Sequence, residues 1–168
     1  MERTEEKRSN FIGGVTMENT KQAIFKLGEE AYGMDIMAIN SVEKPLPVEK
    51  VANSPVNMKG VINLRDEKIP VYSLRKKFGL DEKEVDEDTR LIITSSNGIS
   101  IAYEVDKMDE IITLESEHIL DAPPLVMNTD TSYIKAIVKN NDCLVILMDI
   151  DGILTKEEQN TIKAIIKK

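Results

Sequence analysis

Histidine and cysteine are nearly missing from this chain of 168 residues, which holds one of each, His118 and Cys143. A lone histidine removes histidine-pair metal sites. It also forces any Ser-His-Asp or Cys-His nucleophilic site onto a residue close to Glu115 and Glu117 in a predicted turn. A lone cysteine removes disulfides within the chain. Cys143 opens the apolar run Cys143-Leu144-Val145-Ile146-Leu147-Met148, and that run predicts a buried structural thiol. No apolar stretch approaches the roughly 18 residues of a membrane span, and Met1 to Arg8 carry no apolar signal core. A cytoplasmic protein without direct membrane insertion is therefore expected. None of the eight glycines lies in a GxGxxG or GxxxxGK pattern, so nucleotide phosphates have no backbone cradle. Net positive charge is lacking as well, the formal net charge being −8. Arg75-Lys76-Lys77 is the only compact basic group in the body and is expected to be a solvated face. Nucleic acid is thus disfavoured as a partner, because such binding draws on clustered cations that neutralise phosphates.

Carboxylates are abundant, with 30 acidic residues, so neighbouring acids arise by chance and mark no catalytic pair. One near-match to a calcium loop places Asp149 and Asp151 at its third and fifth positions, Gly152 at the sixth and Glu158 at the twelfth. Its first position would be Leu147, which cannot ligate calcium and sits in a predicted strand. No enzyme activity, metal or cofactor is expected.

The residues that are present read mainly as β-strand. Pro55 to Leu80 forms a predicted hairpin: Val61, Ile62 and Leu64 lead into the polar turn Arg65-Asp66-Glu67-Lys68, and Ile69, Val71, Tyr72 and Leu74 return. Arginine is then displayed on a rigid rim, suited either to recognition or simply to solvation. Ile24, Phe25 and Leu27 make an earlier strand and Gly28-Glu29-Glu30 a turn. Tyr32 to Val42 reads as one further strand with Met34, Ile36 and Ala38 on one face. Asn97-Gly98 between Leu91-Thr94 and Ile99-Tyr103 is a two-residue hairpin turn. Val105, Met108, Ile111 and Ile112 continue the β pattern, Ala122-Pro123-Pro124 breaks it, and a last hairpin runs from Tyr133 to Ile150 around Asn140-Asn141-Asp142. Thr155 and Glu158 form a capping-box pair, predicting a helix from Lys156 with Ile162, Ile165 and Ile166 on its apolar face. That face either packs on the body or docks a partner.

A weak repeat underlies these strands. A shift of 76 positions carries Gly60 onto Ala136, Val61 onto Ile137, Ile62 onto Val138, Val71 onto Leu147 and Leu74 onto Ile150. A shift of 69 carries Gly33 onto Ala102, Ile36 onto Val105, Ile39 onto Met108 and Val42 onto Ile111. Two similar small barrels are the simplest reading, since closure removes exposed strand edges.

Three segments, in order and spacing, resemble the CheW family over residues 21 to 153. They are Tyr32-Gly33-Met34-Asp35-Ile36, then Lys59-Gly60-Val61-Ile62-Asn63-Leu64-Arg65 with Ile69-Pro70-Val71, then Tyr133-Ile134-Lys135 through Leu147-Met148-Asp149-Ile150. The resemblance implies a mainly β fold of two packed SH3-like five-stranded β-barrels with a short C-terminal α-helix, and it leaves room for strands contributed across the sequence midpoint. In domain terms, residues 1–20 form a mobile polar tail, 21–154 a CheW-like domain divided near 81–88, and 155–168 the helix. It further implies a non-enzymatic adaptor, recruited to chemoreceptor arrays, that couples the cytoplasmic tip of a chemoreceptor helical bundle to the regulatory domain of the histidine kinase CheA. Ile39 and Val42 lie in the segment that borders the family's receptor groove. Arg65 matches the arginine of its asparagine-leucine-arginine motif, placed by Asn63 and Leu64. Kinase-contact residues are not assigned. The chain departs from the family in having Ser41 for glutamate, Asp66 for the glycine after the arginine, and Ala136 for glycine. Asp66 could orient Arg65 or compete for it. The alternatives are a CheV-type paralogue, for whose receiver domain the residues after Ile153 leave no room, and a β-barrel nucleic-acid module.

Overall fold

Short strands separated by local turn signals dominate the computed structural model, which describes residues 11–12, 15–16, 21–96, 98–113, 119–120, 133–140 and 143–166. The strands are β1 (Phe11–Ile12), β2 (Val15–Thr16), β3 (Lys21–Leu27), β4 (Glu30–Asp35), β5 (Ile39–Glu43), β6 (Met58–Leu64), β7 (Glu67–Ser73), β8 (Arg90–Ser96), β9 (Ile99–Val105), β10 (Lys107–Thr113), β11 (Ile119–Leu120), β12 (Ile134–Asn140) and β13 (Cys143–Met148). The helices are α1 (Leu74–Lys77), α2 (Ile150–Ile153) and α3 (Lys156–Ile166). His118, Asn97 and Pro123-Pro124 lie outside the described residues. Among the described residues, β1 and β2 pair only with each other.

Two mixed sheets carry the body. Sheet I has the order β10-β3-β4-β13-β12-β11 and sheet II the order β5-β8-β9-β7-β6. The expected repeat is written into their registers. Val71 stands opposite Ala102 in the parallel β7/β9 pair, and Leu147 opposite Gly33 in the parallel β13/β4 pair, positions related by the two sequence shifts. Register shifts recur at matching places too, between Met58 and Gly60 in one hairpin and between Ile134 and Ala136 in the other. Each sheet takes its third sequential strand from the opposite half: β5 leaves the β3-β4 hairpin to pair with β8, and β10 leaves β8-β9 to pair with β3. Among the described residues no ladder joins β5 to β6, so sheet II is not a closed hydrogen-bonded ring.

The expected strand from Tyr32 to Val42 is interrupted at its crossover. Asp35 Oδ1 accepts a hydrogen bond from the Met37 amide at 2.9 Å, and Ile36–Ala38 form a 3-10 turn. Local side-chain capping wins over β propensity there, and Met37 ends 87% exposed. The β8-β9 and β12-β13 hairpins close where the sequence places them. Ser96 pairs with Ile99 around a two-residue loop containing Gly98 at φ 78°, and Asn140 pairs with Cys143. The capping box is also present, with the Glu158 amide donating to Thr155 Oγ1 and the Thr155 amide donating to Glu158 Oε1, both at 3.0 Å.

Three apolar clusters follow from strand alternation. One lies within sheet I (Ile24, Ala31, Ala136, Val138, Val145, Leu147), and one within sheet II (Ile62, Ile69, Val71, Leu91, Ile93, Ala102). The largest is shared: Phe25 and Met34 of sheet I meet Tyr72, Ile92 and Tyr103 of sheet II, with Ile153 and Ile162 sealing it. The terminal helix therefore packs on the body through Ile162 and Ile165. An aromatic stack, Phe25–Tyr32–Phe78–Tyr133, crosses from sheet I to the end of α1.

Two expectations about individual side chains fail. Cys143 is exposed, because the apolar run begins at the turn end of β13, where Cys143 and Leu144 pair only with β12, and burial starts at Val145, where β4 joins the other side. Arg75-Lys76-Lys77 is not a solvated face. Arg75 pairs with Asp106, Lys76 with Glu82 at 3.2 Å and Lys77 with Glu158 at 4.0 Å, since Ser73 caps α1 and the short helix lays its cations on the body.

Candidate functional site

The polar turn of the β6-β7 hairpin is tighter than the sequence implies. Leu64 pairs with Glu67, so only Arg65 and Asp66 remain in the loop, and Glu67 and Lys68 already belong to the returning strand. Arg65 has φ 50° and Asp66 φ 68°. Positive φ at both central residues defines a type I′ turn, whose twist matches the strands but favours asparagine and glycine. Asp66 therefore occupies the position where glycine fits without a Cβ penalty.

This turn fixes the backbone of Arg65 and presents its side chain, 72% exposed, to solvent. The guanidinium is nonetheless held. Its Nη2 donates to Glu43 Oε2 at 3.1 Å, and the Glu43 side chain is 22% exposed. Glu43 ends β5 and Arg65 follows β6, so the pair links the two edge strands of sheet II, between which no ladder runs. The carboxylate that meets Arg65 is thus Glu43, neither Asp66 nor position 41. Glu43 stands two residues beyond Ser41 on the same strand and brings a negative charge to this edge.

The other sequence-selected residues divide around this pair. Leu64 is half-buried against the sheet II cluster together with Leu46, while Asn63 is exposed. Val42 is 42% exposed on β5, Ser41 is intermediate, and Asn40 donates from Nδ2 to Ser95 Oγ at 2.8 Å. Ile39 is drawn inward against the shared core. Val42, Glu43 and Leu64 therefore belong to the two edge strands of sheet II and Arg65 to the turn that follows β6, with Ile39 anchoring β5 behind them. Sequence reasoning missed Glu43, because an ion pair between strands 22 residues apart leaves no local pattern.

The calcium-loop near-match is taken up by capping. Asp149 accepts from the Asp151 amide at 3.1 Å, Leu147 is buried, and Glu158 Oε2 accepts from the Tyr72 hydroxyl at 2.9 Å. Burial first, and then the Glu158 charge, hold the Tyr72 phenol well above its ordinary range. Among the described residues no group of three or more histidine, cysteine, aspartate or glutamate side chains is arranged to hold a metal ion, and no helix is long and apolar enough to cross a membrane.

Comparison with known proteins bears on the family and the fold. The CheW-like domain family matches residues 22–158. The chemotaxis protein CheW of Klebsiella aerogenes is 31% identical over 144 residues, covering 86% of this chain and 87% of that protein. CheW of Bacillus subtilis is 30% identical over 141 residues, covering 84% and 90%. The crystal structure of the scaffolding protein TtCheW from Thermoanaerobacter tengcongensis superposes with a TM-score of 0.71 at 34% identity, covering 78% of this chain and 89% of that one. By family match, by identity to these relatives and by fold, the chain belongs to the CheW-like family of non-enzymatic chemotaxis adaptors, which couple chemoreceptors to the kinase CheA.

Proposed function

We propose that the edge of sheet II formed by β5 and the Arg65 turn receives the cytoplasmic tip of a chemoreceptor helical bundle, while the regulatory domain of CheA binds elsewhere on the same chain. On this reading residues 21–154 act as one coupling domain with two SH3-like subdomains, residues 1–20 are a tail dispensable for coupling, and the protein works in the cytoplasm at membrane-associated arrays. The observation that carries it is Arg65 itself. A type I′ turn of two non-glycine residues holds a guanidinium outward, tethered by the Glu43 carboxylate, which leaves most of its five donors for a partner. A side chain held this way loses little entropy on binding.

Titration of receptor tip and, separately, CheA into wild type, Arg65→Ala and Arg65→Lys tests the reading. Arg65→Ala is expected to change fold stability by about 0.5 kcal/mol, as for a surface residue, and to weaken receptor binding by about 2 kcal/mol. Lysine keeps the charge and loses the planar fork, so it restores only part. Unchanged affinity for the receptor tip would return Arg65 to a solvated turn residue.

A further inference from the structure

Among the described residues the chain passes between the sheets twice, and the two passages are built differently. From β4 to β5 it crosses through Ile36–Ala38, with Met37 in solvent. From β9 to β10 it crosses through Asp106 alone, at the position that the 69-residue shift relates to Met37. Asp106 is engaged on every side. Its Oδ1 accepts from Arg75 Nε at 2.8 Å, and its Oδ2 accepts from Arg75 Nη2 at 2.6 Å and from the Gly28 amide at 2.7 Å. The Asp106 amide donates to Lys26 O at 3.1 Å, and Arg75 Nη1 donates to Asp81 O at 2.7 Å. The two side chains are 18% and 14% exposed. Gly28 belongs to the β3-β4 turn of sheet I, and Arg75 to α1, which directly continues β7 of sheet II. One carboxylate therefore binds a backbone amide of one sheet and a bidentate guanidinium of the other. At the related passage, position 151 replaces Arg75 with an aspartate, so no such clamp can form there.

We propose that Arg75 and Asp106 are positioning residues for kinase coupling: their clamp fixes the angle between the two sheets, so that partners bound to different parts of the adaptor are held in one relative orientation. Bidentate geometry restricts rotation as well as distance, which a single lysine contact does not. Both residues line an open cleft of about 520 Å³ whose other charged lining residues are Lys26, Glu29, Lys83, Asp86, Asp88 and Lys107. None of the residues proposed above for receptor contact takes part in it. The inference rests on the adaptor reading only in supposing that the two partners engage the chain together.

The test uses the full chain with spin labels on the native exposed Cys143 of sheet I and on a Lys68→Cys variant at the matching hairpin of sheet II. A narrow intersheet distance distribution is expected for the parent. Arg75→Gln and Asp106→Asn should widen it at least twofold, and Arg75→Lys should fall between. In reconstituted arrays the same variants should lower kinase activation by about fivefold or more, while affinity for receptor tip and for CheA, measured singly, stays within twofold. Unchanged distance distributions in all three variants would overturn the clamp, and so would losses of activation no greater than the losses of affinity. Receptor affinity that survives Arg65→Ala would instead sink the receptor-edge reading and leave the distance measurement standing.

Discussion

Sheets I and II solve the same packing problem with exchanged volumes. In sheet I, Gly33 faces Leu147; in sheet II the related pair is Ala102 facing Val71, in the same parallel register. A Cβ on Gly33 would lie 2.8 Å from Leu147 Cδ2, so the methyl missing on one strand is supplied by the longer side chain on the other. A second difference concerns the strand that borders each hairpin's outer edge. In sheet II, Glu49 bridges to Val61 by two hydrogen bonds of 2.8 Å, and in sheet I β11 pairs with Val138 and Ile137. Gly60, at φ 151°, admits the Glu49 backbone; its counterpart Ala136 carries a Cβ and has no positive φ. Two copies of one backbone plan can therefore diverge in side chains wherever the pair of facing positions changes together.

The largest expected effect breaks the comparison at Gly60. A Cβ there would stand 2.3 Å from the Glu49 carbonyl oxygen, a backbone atom that cannot swing away. Gly60→Ala should cost about 3 kcal/mol or more in denaturant unfolding, whereas Ala136→Gly should cost about 1 kcal/mol. Equal costs at the two positions would show that the outer edges are not built differently.

Next comes the volume exchange. Gly33→Ala alone should cost about 2 kcal/mol by overpacking, and adding Leu147→Val, which copies the sheet II pair, should recover most of it. A double variant as unstable as the single would mean that the two sheets do not share this packing solution.

The crossovers give a smaller, pH-dependent effect. Burial alone would raise the Asp106 pKa, but the Arg75 hydrogen bonds, the Gly28 amide and the nearby Lys83 outweigh it and hold the carboxyl below its ordinary value. A carboxyl depressed in the folded state contributes stability above its unfolded pKa, near 3.8, and loses that contribution as pH falls through the folded value. Asp106→Asn should therefore cost about 1.5 kcal/mol at neutral pH, and the gap from wild type should close in acid. A gap independent of pH would remove the charge from the account.

Much of this organisation is legible locally. Two-residue turns, strand alternation and the Thr155-Glu158 box each depend on residues a few positions apart, so the β6-β7, β8-β9 and β12-β13 hairpins and α3 follow from the sequence. The repeat even anticipates the Val71/Ala102 and Leu147/Gly33 registers. What escapes depends on distant or marginal contacts. The exposure of Cys143 reflects where the hairpin ends rather than the apolarity of its run. The break at Ile36–Ala38 turns on one side-chain oxygen, Asp35 Oδ1. At the candidate site, Arg65, Leu64 and Val42 are selected by pattern, but Glu43 emerges only once β5 and β6 lie at opposite edges of one sheet.

The smallest expected effect compares two turns of sheet II. Gly98 occupies the second loop position of the β8-β9 hairpin at φ 78°, and Asp66 holds the same position of the β6-β7 hairpin at φ 68°. Asp66→Gly should stabilise the fold by about 0.5 kcal/mol in thermal melts and leave the Arg65-Glu43 contact in place. Destabilisation would show that the Asp66 side chain supports the turn in some further way.

The exchange of β5 and β10 also sets the order in which the chain can assemble during synthesis. Every strand of sheet II lies between Ile39 and Val105, so that sheet can complete as soon as β9 has emerged. Sheet I cannot, because β4 must wait for β13 to supply its parallel neighbour and β3 must wait for β10. The β3-β4 hairpin thus precedes most of the strands that enclose it, and until Met148 arrives its Phe25, Tyr32 and Met34 are covered by the finished face of sheet II, by Phe78 stacked on Tyr32 and by Met108 of β10.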